Sequence, residues 1–333
     1  AAYGVSEEIA RDMLALAEDD GHAAHHLVSN LALALSHLYL GELVEAREEF
    51  RTGIGYFSPE DWPRRELFIG EPRTVGDSYL ARTLWILGEV DEAVTLSHRS
   101  LSLARRLSEP SALVQALGMH TILLLLHRDN AQAQEYATET VEVATRHGFA
   151  YWQVLGSMFG AILTAQRGEH EAGIATFTHC LALYENQGAQ LGLSWFRGAL
   201  ARMHIAAGDP AKASALLESA TFHIEETDER YYEAEILRLR GEVALASGAD
   251  DAAAAAEAAF VAARDLASRQ HAGSWELRAA VSLASLYRAE GRLAEAREAL
   301  DMVEGMPREF DPPADHRDAR QLLDDVTAEL GSG

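Results

Sequence analysis

Residues 41–50 read GELVEAREEF, and residues 291–300 read GRLAEAREAL. The two stretches share Gly, Leu, Glu, Ala, Arg and Glu in register, 250 residues apart. A phrase written twice in one chain points to an internal repeat, and intermediate copies are present. GEVDEAVTLS starts at Gly88, GEHEAGIATF at Gly168 and GDPAKASALL at Gly208. HRDNAQAQEY, from His127, fills one interval with Arg128 in place of the glycine, and GADDAAAAAEAAF, from Gly248, fills another.

The small residues that follow each turn are Ala46, Ala93, Ala133, Gly173, Ala213, Ala256 and Ala296, at spacings of 47, 40, 40, 40, 43 and 40. A second small column precedes each turn: Ala34, Ala81, Thr121, Ala161, Ala201, Gly241 and Ala284. Around both columns apolar residues recur at helical spacing, as at Leu31, Leu35 and Leu38. Each unit therefore predicts a helix A, a tight turn at glycine and a helix B. Glycine suits the left-handed end of a helix, and in GDPAKA Asp209 can cap helix B with Pro210 in its first turn. One hairpin cannot bury its apolar faces alone, whereas stacked neighbours can. The expected fold is all-α: a right-handed superhelical solenoid of about seven helix-turn-helix repeats of about 40 residues. The small–turn–small columns resemble the tetratricopeptide repeat, whose usual length is about 34 residues. The pairs Ala46/Phe50, Gly173/Phe177 and Ala256/Phe260 fit its helix B signature.

The register divides a single solenoid spanning 1–333. Residues 1–21 predict an orphan helix B, with Ala10 in the marker column and Leu14 in the Phe column. Its absent helix A suggests a fragment of a longer protein, or another element covering that end. Residues 22–308 hold seven hairpins with an inserted loop at 58–77, rich in Pro and Gly and carrying Trp62 and Phe68 as packing anchors. Residues 309–333 predict a C-terminal capping helix.

Composition limits the function. The chain carries 52 acidic and 28 basic residues, a net charge of −24, which disfavours direct nucleic-acid binding. The single Cys180 excludes an internal disulfide framework and fits a reducing, cytoplasmic setting. The most apolar stretch, around 112–126, carries Gln115 and His120 and reads as too short to span a bilayer. Lys212 is the one lysine and lies outside any Gly-rich phosphate loop. His22, His25 and His26 have helical spacing but no matching carboxylate, and no nucleophile–base pair emerges, so neither a metal, a cofactor nor an enzyme is expected.

Two stretches carry a closer resemblance. DERYYEAEILRLRGEVAL (228–245) and WELRAAVSLASLYRAEGRLAEAREAL (275–300) resemble the C-terminal tetratricopeptide region of bacterial multidomain signalling ATPases, some with a cyclase-like domain and others with a DNA-binding domain. Glu229, Arg230, Tyr231, Tyr232, Glu233, Ala234, Glu235, Arg238, Gly241 and Glu242 carry the first likeness. Glu276, Leu277, Arg278, Ala279, Ala280, Ser282, Leu283 and Ala284 carry the second. SYLARTLWILGEVDEAV (78–94) and HGFAYW (147–152) also fit. The resemblance implies a protein-interaction and regulatory scaffold that acts within, or on, a larger signalling protein or transcriptional regulator. In the related maltose-regulon activators a similar superhelical domain receives the sugar inducer, which implies a second reading, a small-ligand sensor for a sugar or an anionic metabolite.

In such a superhelix helix A lines the concave face. The register places Tyr39, Arg82, Trp85, Trp195, Arg202, Arg238, Glu242, Arg278 and Arg288 there. Five arginines on one face of so acidic a chain are suited to carboxylates or phosphates. The expected partner is an acidic peptide, other domains of the parent protein, or a small anionic effector. Self-association through the uncapped end is a further expectation.

Overall fold

The computed structural model describes residues 3–57, 71–305 and 313–332, and these form helices and no strand. Helix α1 (Tyr3–Asp20) packs on the first of seven hairpins. The hairpins are α2 (Ala23–Leu40) with α3 (Leu43–Gly55), α4 (Pro72–Leu87) with α5 (Val90–Leu107), and α6 (Pro110–His127) with α7 (Asn130–His147). Then come α8 (Ala150–Gln166) with α9 (His170–Asn186), α10 (Leu193–Ala206) with α11 (Pro210–Thr227), and α12 (Glu233–Ser247) with α13 (Ala252–Arg269). Last, α14 (Gly273–Ala289) pairs with the broken helix α15 (Leu293–Ala299) and α16 (Asp301–Glu304), and α17 (Ala314–Ser332) closes the described chain.

The turns follow from their sequence. Gly41 ends α2 at φ 82°, a left-handed position where its N–H reaches the His37 and Leu38 carbonyls. Arg128 holds the equivalent place after α6 at φ 64°, a conformation uncommon without glycine. Its guanidinium is held by Asp315 at 3.1 Å and by Asp318. Asp209 accepts the Lys212 N–H at 3.1 Å, with Pro210 in the first turn of α11.

The small columns are the crossing points inside each hairpin. A side-chain carbon added at Gly173 would stand 2.7 Å from the Ala161 carbonyl oxygen and 2.8 Å from Ala165 Cβ. Ala34, Ala46, Ala81, Ala93, Ala201 and Ala213 are all buried. Phe50, Phe177 and Phe260 fill the core behind them. Helix α6, at 18 residues and a mean hydropathy of 1.3, is long and apolar enough to cross a membrane, contrary to the sequence reading; 72% of it is buried in the solenoid, which accounts for its composition.

The superhelix closes on itself after five hairpins. The Tyr39 carbonyl at the end of α2 accepts the Arg230 N–H at 2.7 Å, joining hairpin one to hairpin six. The Trp85 carbonyl near the end of α4 accepts the Ser274 hydroxyl, joining hairpin two to hairpin seven. The Leu126 carbonyl of α6 accepts from Arg278 at 2.7 Å, and Arg128 reaches α17. Gly273 is needed at this seam, because a side-chain carbon there would meet the Leu87 carbonyl oxygen at 2.7 Å.

Buried Glu229 ties the same seam to α1 and α10. It accepts the Tyr3 hydroxyl at 3.0 Å, the Gly192 N–H at 2.7 Å and the Ser194 N–H at 2.9 Å. Burial pushes its pKa up, but His223, the Ser194 hydroxyl and the Ser194 N–H hold it below the ordinary carboxylate value.

One boundary differs from the sequence expectation. Helix α4 starts at Pro72, capped by the Glu71 side chain, so 72–77 are helical and not loop. Glu71 accepts the Arg73 and Thr74 N–H groups, the reason the chain turns helical there. The rest of the expected loop, with Trp62 and Phe68, lies outside the described residues.

Candidate functional site

Five inner helices, α2, α4, α6, α8 and α10, surround the lumen of the first superhelical turn. They enclose a chamber of about 530 Å³. Helix α2 contributes Leu35 and Tyr39, α4 Tyr79 and Arg82, α6 Gln115, Met119 and Ile122. Helix α8 adds Tyr151, Trp152 and Leu155, and α10 adds Trp195 and Phe196. Tyr231, in the turn before α12, closes one end because the second turn of the superhelix docks there. Exposed Ser111 and Leu191 mark the mouth.

Arg82 is 7% exposed and has no carboxylate within ion-pair distance among the described residues. Three tyrosine rings hold its guanidinium: Tyr39 at 5.2 Å, Tyr79 at 5.1 Å and Tyr231 at 5.1 Å from the ring centres. Such contacts stabilise a cation without neutralising it. Burial works against its charge and the tyrosines favour it, so the group stays protonated. Its Nε and Nη2 have no hydrogen-bond partner among the described residues. The same holds for both side-chain amide atoms of Gln115 and for the Trp195 indole nitrogen. All three residues line the chamber.

A second, charged chamber of about 280 Å³ lies beyond, lined by Arg202, Arg238, Glu242 and Arg278 together with Arg128, Asp315 and Asp318. Its arginines are mostly answered by acids. Arg238 meets Glu235 at 2.6 Å and also pairs with Glu242. Arg278 meets Asp315 at 2.7 Å. The Arg278 and Arg128 guanidinium groups hold Asp315 below its usual range against the effect of burial.

Rings separate the two chambers. Tyr231 packs on Tyr232, Tyr232 on Trp275 at 5.4 Å, and Trp275 on Trp85 at 5.1 Å. Arg278 lies over both tryptophans and faces the charged side.

The nine residues expected on one groove are therefore divided. Tyr39, Arg82 and Trp195 meet in the aromatic chamber, and Arg202, Arg238, Glu242 and Arg278 in the charged one. Trp85 is core of the partition and lines neither. Arg288 is outside both, paired with Asp325 at 3.0 Å and with Glu329 at 2.5 Å on α17. The cause is closure at five hairpins, which packs the second turn onto the first.

Sequence reasoning missed Gln115 and Tyr231. Gln115 had a signal, a lone amide in an otherwise apolar helix; Tyr231 sits in a turn and has no place in a helix A register. The three early histidines do not converge: His26 stacks on Tyr56 at 4.6 Å, while His22 meets His25 edge-on at 5.4 Å. Cys180 is buried, and that burial pushes its thiol up.

Comparison with known proteins agrees with this architecture. Tetratricopeptide repeat family models match residues 78–111, 194–219 and 277–302. A search of curated proteins found no match. Among solved structures, the Rap conjugation gene regulator of plasmid pLS20 in complex with the Phr* peptide is similar at TM-score 0.57 and 12% identity, over 93% of this chain and 78% of that one. A Rap protein complexed with competence and sporulation factor gives 0.55 and 12%, over 92% and 76%. Yeast Tom70 gives 0.46 and 14%, over 98% of this chain but 59% of its own length. At such identities the Rap likeness shows the fold alone. The chain is an all-helical solenoid built on tetratricopeptide-type repeats.

Proposed function

We propose that this solenoid is a non-catalytic ligand-receiving scaffold, in which occupancy of the aromatic chamber controls how the repeat surface engages a partner protein or other domains of its parent. The observation that carries this reading is the chamber itself. It is enclosed by five helices, ring-lined, and holds buried polar atoms on three residues with no partner among the described residues. Ligand sites are typically apolar cavities of roughly 300–1,000 Å³ with a few convergent polar groups. Two of the like-folded proteins are complexes with a peptide or a factor, which supports a ligand-receiving role.

The parent belongs, in this proposal, to the bacterial signalling ATPases or transcriptional regulators, acting in the cytoplasm. The support is local. The stretches 228–245 and 275–300, which carry that resemblance, supply Glu229, Tyr231, Tyr232, Trp275 and Arg278 to the seam and partition. The coding sequence ahead of Ala1 tests it: an ATPase frame supports the proposal, and an unrelated gene overturns it.

The receptor reading is tested by thermal denaturation against a panel of sugars, organic acids and short peptides. A specific ligand at about 100 times its Kd adds about 2.7 kcal/mol of stability and raises Tm. Met119→Trp, which fills the chamber, is expected to abolish that rise. A rise that survives Met119→Trp defeats the reading.

A further inference from the structure

Among the buried arginines of the lumen, charge balance singles out one residue. Arg238 and Arg278 each have carboxylate partners. Arg82 is equally buried and has none among the described residues, on a chain with 52 acidic side chains to choose from. The tyrosine faces around it position the guanidinium but accept no hydrogen bond at Nε or Nη2. A buried charge without a counter-ion is unfavourable, and Arg82 lines the chamber, where an anion from outside would meet it. A guanidinium edge with free N–H groups matches a carboxylate or sulfonate.

The rest of the chamber limits what that anion is attached to. Met119, Ile122, Leu155 and Phe196 offer only apolar surface, which a hydrated chain or a polyol would leave unmatched. Among the described residues Arg82 is the one cationic side chain on the lining, so a doubly charged phosphate would keep an uncompensated charge. Gln115 and the Trp195 indole have capacity for one or two further hydrogen bonds. The volume suits a free molecule of one or two rings, and the aromatic partition beyond Tyr231 gives a threaded peptide no exit.

We infer that the aromatic chamber binds a small organic monoanion with a ring-sized apolar body, its acid group seated on Arg82 and its polar substituents on Gln115 and Trp195. The inference rests on the ligand-receiving reading and adds the chemical class.

A matched pair of fluorescent probes tests it on the full chain. N-phenylnaphthylamine has the rings without charge, and anilinonaphthalene sulfonate has the same rings with an anion. The sulfonate is expected to bind at least about 10-fold more tightly, the contribution of a charge-assisted hydrogen-bonded pair. In Arg82→Gln that preference falls to within about three-fold, while the neutral probe keeps its affinity and so reports an intact chamber. Should Arg82→Gln not fold, the unmutated chain decides: naphthylacetate displaces the neutral probe at about 10-fold lower concentration than naphthylacetamide does. Equal affinity of the charged and neutral members of either pair overturns the inference, as does a preference that persists in Arg82→Gln. A neutral sugar that competes where naphthylacetate does not also overturns it, yet leaves the receptor reading standing. Failure of both probes to bind, or their retention in Met119→Trp, removes the receptor reading and the inference together.

Discussion

His120 shows how one side chain is fixed by its neighbours and what that does to pH response. It lies in α6, fully buried, with Nδ1 2.7 Å from the Ser97 hydroxyl of α5 and its ring 4.7 Å from those of His98 and Tyr136. Burial lowers its pKa first, and the neighbouring His98 ring and the Arg105 guanidinium lower it further, to about 4. An unfolded histidine titrates near about 6.5. The folded value is the lower one, so the unfolded chain binds the proton more readily. The stability this residue supplies is complete above the unfolded pKa and is lost as pH falls toward the folded one. Between pH 7 and pH 5 the loss from His120 alone is about 2 kcal/mol. His127 and His204, also lowered by burial, act in the same direction. The double variant His120→Leu/Ser97→Ala keeps the site apolar and removes both partners. Its urea midpoint should therefore drop less between these two pH values than that of the unmutated chain. Parallel drops would mean that His120 titrates normally.

At the scale of the element, the hairpin was legible because its constraint is local. Two helices that cross at close range need a small residue on each, so Ala161 and Gly173 stand out from the repeat pattern alone. Ala201, fully buried in α10, belongs to the same column. Ala201→Leu forces extra methylenes into that crossing and is expected to cost about 1–3 kcal/mol. Calorimetry checks it, and an unchanged Tm would show that the column is not where the helices meet. Helix starts were legible for the same local reason, as at Asp209 and Pro210. The start of α4 was not, because its cap is a Glu, a residue outside the usual capping set, set in a stretch rich in Pro and Gly. The groove residues fall between these cases. The helix A register put Tyr39, Arg82 and Trp195 on one face, and the structure places all three on the lining of one lumen. It could not separate Trp85 from them, since lining and partition positions share the same helical face.

At the scale of the whole molecule the decisive quantity is the rotation from one hairpin to the next, and a period of about 40 residues does not encode it. Five hairpins per turn bring Tyr39 to Arg230 and Trp85 to Ser274, contacts between residues 191 and 189 positions apart. An ordinary repeat array is nearly one-dimensional: each unit touches its neighbours, and stability is a sum of local terms. Here the seam adds a second dimension, since loss of hairpin two also strips hairpin seven of a partner. The unmutated chain is therefore expected to unfold in one steep transition, with probes at its two ends reporting the same urea midpoint. Gly273→Val places branched carbon against the Leu87 carbonyl, already at 2.7 Å for a single added carbon, and so pries the turns apart without touching any hairpin core. In that variant the array should revert to local behaviour. Amide exchange in α12 to α14 would then speed up ahead of α8 and α9, and the urea transition would broaden or split. The floor of the aromatic chamber depends on the same seam through Tyr231, so probe affinity should fall along with cooperativity. A Gly273→Val chain that still melts in a single step, with an unchanged m-value, would mean that the seam carries no cooperativity and that each hairpin answers only to its neighbours.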